Sequence, residues 1–214
     1  MKDQSEQAAS GADRRSFFRI DDTVRLSLRP LPADELEQRL DELDHDLAGN
    51  FTVMSSLAAI TAQMTMGLRR IENRDPDLAA YLRAIDQKIE VIGRAFIAQE
   101  PEAVSERAIP VNLSAGGMCV GVTEPFEVGA QLEIRMLLFP SFTGLMIYGS
   151  VIACEPASES ADDQAGLNGY RHLARIEFTH IREQDRELLI RHLLRRQSDQ
   201  LRERQEDALD GLDD

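Results

Sequence analysis

The spacing of apolar residues changes period twice along this chain, and only a fold that interrupts itself accommodates both changes. From Thr23 to Leu31 (TVRLSLRPL), Val24, Leu26 and Leu28 alternate with Arg25, Ser27 and Arg29. That is the period of a strand with one buried face. Pro30 and Pro32 stop it, because proline cannot donate to a ladder. At Leu36 the spacing becomes four, three and four through Leu40, Leu43 and Leu47, and the register continues through Asn50, Met54, Leu57, Thr61, Met64, Leu68 and Ile71. This is a heptad seam of about five repeats with two polar positions. Gly49-Asn50 either breaks it into two helices or kinks one long one. Asn73 to Pro76 is a turn signal, and a second seam follows in Leu78, Leu82, Ile85, Ile89, Ile92 and Phe96.

Residues 33–107 therefore read as an antiparallel helical hairpin. An unbroken first arm of about 40 residues would reach roughly 60 Å, longer than the second arm can cover. Its leucine seam must bury against another subunit or against the C-terminal helix of its own chain. Sustained heptads favour another subunit, so Leu36, Leu40, Leu43, Leu47, Met54 and Leu57 are the expected oligomerisation residues.

Period two returns after Arg107. Strands are expected at Ala108 to Leu113, Met118 to Val122, Gln131 to Phe139, Leu145 to Cys154 and Tyr170 to Phe178. A polar loop runs from Glu155 to Gly169. From Arg182 the pattern is helical, with Leu188, Leu189, Leu193 and Leu194 on one side. Beyond Gln197 the helix is too charged to be held by packing alone. The fold class is α+β: a small antiparallel barrel of five or six strands, a helical hairpin inserted after the first, and a C-terminal helix. The domain plan is a disordered tail at 1–12, a barrel built from 13–32 and 108–196, the insertion at 33–107, and a charged extension at 197–214.

Composition narrows function. The net charge of −14 repels nucleic-acid backbones and anionic membrane surfaces over most of the protein. A small anion at a locally basic spot stays permitted, because distant charges are screened. Residues 1–12 hold no apolar signal-peptide core, and no run is long enough to span a bilayer. Cys119 and Cys154 lie in apolar strand runs and read as buried free thiols. The expected setting is cytoplasmic.

Against this acidic background, Asp13 to Arg19 (DRRSFFR) packs three arginines and two phenylalanines into seven residues. Guanidinium groups are planar forks that match phosphate oxygens and a guanine edge. By itself the cluster also fits a solvated strand start, with Phe17 and Phe18 as core anchors. The second local signal is Asn112 to Gly117 (NLSAGG), where side-chain oxygens and backbone amides of a turn can face one way and Gly116 and Gly117 permit close approach to the backbone.

Together these stretches resemble the PilZ domain family. Arg15 to Arg19 matches its RxxxR motif, and Asn112 to Gly117 its (D/N)xSxxG motif. The resemblance covers 13–32 and 108–196, including strand order and C-terminal helix, and departs from the family in the insertion between the motifs. An antiparallel hairpin returns the chain close to where it left, so the barrel can still close. The resemblance implies a six-stranded barrel that binds cyclic di-GMP. Arg15 and Arg19 would contact guanine edges and phosphates, Asn112 and Ser114 would hydrogen-bond one guanine and its phosphate, and Gly116 and Gly117 would complete the turn. Arg14, just before the motif, implies two stacked ligands per site. The implied protein is a receptor that couples the ligand to an unidentified downstream protein and assembles with itself. The competing reading is a ligand-independent oligomeric scaffold.

Catalysis finds little support. His45, His172, His180 and His192 are scattered over unrelated elements without metal-ligand spacing. There is no phosphate-cradling glycine loop and no nucleophile elbow. No catalytic residue, metal or cofactor is expected, and the carboxylates are expected mainly on solvated helix faces.

Overall fold

The computed structural model describes residues 18–44, 50–98, 107–157 and 169–210. Six strands close into one antiparallel barrel in the order β1-β2-β3-β6-β5-β4. They are β1 (Arg19–Leu31), β2 (Ile109–Ser114), β3 (Gly117–Val122), β4 (Gln131–Leu138), β5 (Thr143–Pro156) and β6 (His172–His180). Strand β1 closes the ring. Its first half, Arg19 to Val24, pairs with β2, and its second half, Arg25 to Leu31, pairs with β4. Closure removes the open edges that a sheet of this size would otherwise expose.

The alternation read from the sequence sets which residues face inward. Val24, Leu26, Val111, Leu113, Met118, Val120, Ile134, Met136, Ala174 and Ile176 are buried in one core cluster. The C-terminal helix α4 (Glu183–Asp210) packs Leu189 and Leu193 into the same cluster. Strand β1 begins four residues earlier than its apolar pattern implies, at Arg19.

The insertion forms α1 (Ala33–Asp44), α2 (Asn50–Glu72) and α3 (Pro76–Ala98). Whether α1 and α2 are one rod at Gly49 lies outside the described residues, as do Leu47, His45 and the tail at 1–12. The turn between α2 and α3 follows its sequence signals. Pro76 opens α3, where its missing N–H costs nothing, and the Asp75 carboxylate accepts from the Leu78 amide at 3.0 Å. Arg83 pairs with Glu72 across the hairpin.

The leucine seam is used within the chain. Leu43 is 1% exposed and clusters with Leu31, Met146 and Tyr148, with Leu36 and Leu40 packed alongside. Met54 and Leu57 pack on Leu137, Phe139 and Phe142. The Tyr148 hydroxyl donates to the Arg39 carbonyl at 3.3 Å. Burial, with the Glu133 carboxylate nearby, pushes that phenol up to about 12. The outer wall of β5 thus does for α1 what a second subunit could have done.

The α3 seam departs from expectation. Leu78, Ile85, Ile89 and Ile92 remain in water, because α3 turns its small residues toward α2. Ala79 is fully buried, and Gly93 faces Met54 so closely that a Cβ would collide with its sulfur.

Candidate ligand site on the barrel wall

The two sequence motifs meet. Register places Arg19 opposite Ser114 and Asp21 opposite Asn112. An Arg19 Nη donates to Asn112 Oδ1 at 3.1 Å across 93 residues of chain. Asn112 Nδ2 donates in turn to Asp21 Oδ1 at 2.7 Å. Strand parity explains the trio: Ile20, Val111 and Leu113 are buried, so their neighbours Arg19, Asp21 and Asn112 stand on the outer face. Each side chain fixes the next, and the Arg19 guanidinium keeps further donors for an acceptor arriving from solvent.

The turn residues have more structural work than expected. Ser114 is 3% exposed, and its hydroxyl donates to the Gly117 carbonyl at 2.9 Å. The Gly116 carbonyl accepts from the Phe178 amide at 2.9 Å, which ties the turn to β6. Gly117 does not use a left-handed conformation. It is there because a Cβ would run into the Ile176 carbonyl oxygen of β6, so only glycine lets the two backbones pass.

Of the expected site residues, Arg19, Asn112, Ser114, Gly116 and Gly117 are therefore brought together, while Arg14 and Arg15 lie outside the described residues, as does Phe17. Phe18 is 56% exposed and is not a core anchor. It precedes the first strand residue, where no barrel layer lies over it. Cys119 and Cys154 are free and half-buried rather than fully buried: Cys119 sits on the outward row opposite Asn112 and Arg175, whereas Cys154, opposite the inward Ala174, packs against the core near the end of β5.

Behind the site stands a buried ion cluster that the sequence reading missed. Asp22 occupies the inward parity of β1 between Ile20 and Val24, and its side chain is 3% exposed. It accepts from His192 Nε2 and, at 2.9 Å, from Arg196 Nε, both on α4. Burial alone would raise this carboxyl. Hydrogen bonds from His192, the Thr23 amide and Arg196 outweigh burial and hold it below the ordinary range. His192 is therefore a partner of Asp22, not a scattered histidine. A charged residue at core parity was the available signal, since such a position is occupied only when a partner exists. Glu133 and Asp185 are likewise buried, exceptions to the expectation of carboxylates mainly on solvated helix faces. Arg182 forks onto Asp185 at 2.8 and 3.1 Å and also reaches Ser55 of α2.

Helix α4 also touches the second motif and the strand that follows the first. Arg186 donates to the Ala115 carbonyl at 3.2 Å, and Gln200 donates to the Asp21 carbonyl at 2.7 Å. The Gln200 bond holds the helix beyond Gln197, where apolar packing alone would not.

The site is a wall rather than a hole. Two cavities of about 580 and 590 Å³ lie elsewhere, one between α2, α3 and α4 and the other beside Arg25 and Phe139. Among the described residues no three His, Cys, Asp or Glu side chains gather as a metal site, and no helix is long and apolar enough to cross a membrane.

Comparison with known proteins adds three findings. The family model described as PilZ domain matches residues 69–195, from the end of α2 to about the middle of α4 and without β1. Among solved structures, a pathogenic protein from Xanthomonas campestris, described as a tetrameric PilZ domain self-assembled via a helical bundle, is similar at 14% identity and TM-score 0.49. The match covers 87% of this chain and 91% of that one. The Bacillus subtilis inhibitor of motility, MotI/DgrA, is similar at 13% identity and TM-score 0.43, over 87% of this chain and 52% of that one. No curated protein matches.

Proposed function

This chain belongs to the PilZ domain family, and from that membership we propose that it is a receptor for cyclic di-GMP. The observation that carries the reading is the bond from Arg19 to Asn112, because it joins the halves of a bipartite motif that the insertion separates in sequence. Guanine O6 and N7 are adjacent acceptors that suit a guanidinium fork, and the phosphates suit the same group. Just upstream in sequence, Arg15 and Arg14 are the further cations that the motif calls for in an otherwise acidic chain. Ligand bound at Arg19 and the Asn112 turn lies next to the Gln200 and Arg186 ties of α4, so occupancy can alter the face offered to a downstream protein.

Isothermal titration with cyclic di-GMP tests the proposal. Arg15→Ala and Arg19→Ala should each weaken binding by about 1–3 kcal/mol, the scale of a bidentate arginine–guanine contact. Wild-type affinity in both would remove the arm from the mechanism, and no heat from the wild type would favour a ligand-independent scaffold. With Arg14 acting in a stacked pair, the titration should end at two ligands per chain.

Self-assembly through the insertion is the second part of the proposal, with its contact surface moved. Leu43 and Met54 are buried inside the chain, and Leu36, Leu40 and Leu57 are partly buried against the same clusters. Beside them, α3 exposes Leu78, Tyr81, Ile85, Ile89 and Ile92 along one stripe, and α2 exposes Val53, Ile60 and Met64 along another. Eight such side chains at roughly 100 Å² each approach the ~800 Å² per partner that a stable interface buries. Apolar stripes at heptad spacing suit a second copy of the same helices.

A further inference from the structure

The outer face of the barrel continues past the motif residues in one line. Asn112 of β2 lies opposite Cys119 of β3, and Cys119 lies opposite Arg175 of β6. With Asp21 opposite Asn112, four strands contribute one residue each to a single outward row. Its inward neighbours Met118, Val120, Ala174 and Ile176 are buried, which fixes the outward direction of Cys119 and Arg175. Facing residues on paired strands stand about 5 Å apart, so Arg175 lies about 10 Å from Asn112 at the backbone, and its own side chain shortens that span.

Two guanidinium groups bracket the thiol at the centre of this row. Burial raises the Cys119 thiol, and the positive charges of Arg175 and Arg19 pull against that rise while the Glu155 carboxylate adds to it. Arg19 comes from the β1 side and Arg175 from the β6 side, so both charges act on one small patch. Arg175 is exposed, and among the described residues it makes no carboxylate ion pair. The nearest acids on these strands are Asp21, engaged by Asn112, Glu177, two residues along β6 from Arg175 on the same face, and Glu155 of β5, whose charge also reaches the thiol. An anion is therefore best placed between the two arginines, over Cys119.

We propose that the ligand footprint extends across β3 onto β6, with Arg175 as an additional phosphodiester-binding residue and Cys119 as the floor beneath the ligand. This rests on the cyclic di-GMP reading of the motif residues and enlarges it. A guanidinium fork takes two oxygens of one phosphodiester, which neither Asn112 nor a glycine amide can match.

Two measurements on full-length protein test the inference. In titrations with cyclic di-GMP, Arg175→Ala should weaken binding roughly 5- to 100-fold, with Arg175→Lys in between because it keeps the charge and loses the fork. Arg175 is exposed, so its variants should melt like wild type. In a Cys154→Ser background, iodoacetamide should alkylate Cys119 several-fold more slowly at saturating cyclic di-GMP. In Cys119→Ser protein, alkylation of Cys154 should not change. Wild-type affinity in Arg175→Ala, or an unprotected Cys119 while the wild type binds, would overturn the extension and leave the motif site standing. A wild type that binds no cyclic di-GMP would overturn the receptor reading and this inference together.

Discussion

Asp22→Ala should be among the most damaging single substitutions in this protein, and its cost can be assembled from the buried cluster. The change deletes a carboxylate that is 3% exposed and strands His192, which is 6% exposed. Arg196 is 30% exposed, so water can recover part of what it loses. Breaking a buried pair by removing one partner costs about 3–5 kcal/mol, and the partial exposure of Arg196 places the expected loss near the lower bound, at about 3 kcal/mol. For a chain of this length that lowers the melting temperature by about 6–12 °C. The pH dependence has a definite sign. The carboxyl is held below its ordinary value of 3.8 in the folded protein, so its contribution is complete above that value and is lost as pH falls through the lower folded value. Urea unfolding of wild type and variant should give a constant gap at neutral and mildly acidic pH, and the gap should narrow below about pH 4. A gap under about 1 kcal/mol, the worth of an exposed pair, would refute the argument that the cluster is desolvated.

Three other outcomes follow from the packing. Leu43→Ala should destabilise by about 2–5 kcal/mol in urea unfolding, the range for deleting a fully buried leucine, because α1 would lose its main hold on Tyr148 and Met146. Gly117→Ala should cost about 1–3 kcal/mol by overpacking and weaken ligand binding as well, since the obstructing atom is backbone of β6; a melt matching wild type would show that β3 can yield. Under the proposed self-assembly through α3, Ile85→Asp should lower the mass seen by light scattering at unchanged helix content, and an unaltered mass would count against α3 as the contact.

The barrel was legible because its evidence is local. Strand alternation, turn residues and proline stops each act within a few residues, and Val24, Leu26, Met118 and Val120 face inward as their parity requires. The motif residues were legible for a similar reason, since Arg19 and the Asn112 turn sit at strand ends whose pairing restores their proximity. Asp22 was not recovered, because the strand was read from Thr23 and the inward parity of its predecessor went unseen. The carboxylate's partners lie on α4, a distance no local pattern spans.

The heptads mark the boundary most clearly. A seam of leucines states that an apolar face must be covered, and the sequence settled that much for both arms. It could not name the cover, because a barrel wall bearing Leu31, Met146 and Tyr148 and a second helix satisfy the same leucines equally well. Only the tertiary structure decided that α1 and the start of α2 cover their own barrel while the α3 stripe stays in water. Hydrophobic attraction is non-directional, so period specifies which side chains must leave water, and the three-dimensional path of the chain specifies what they meet.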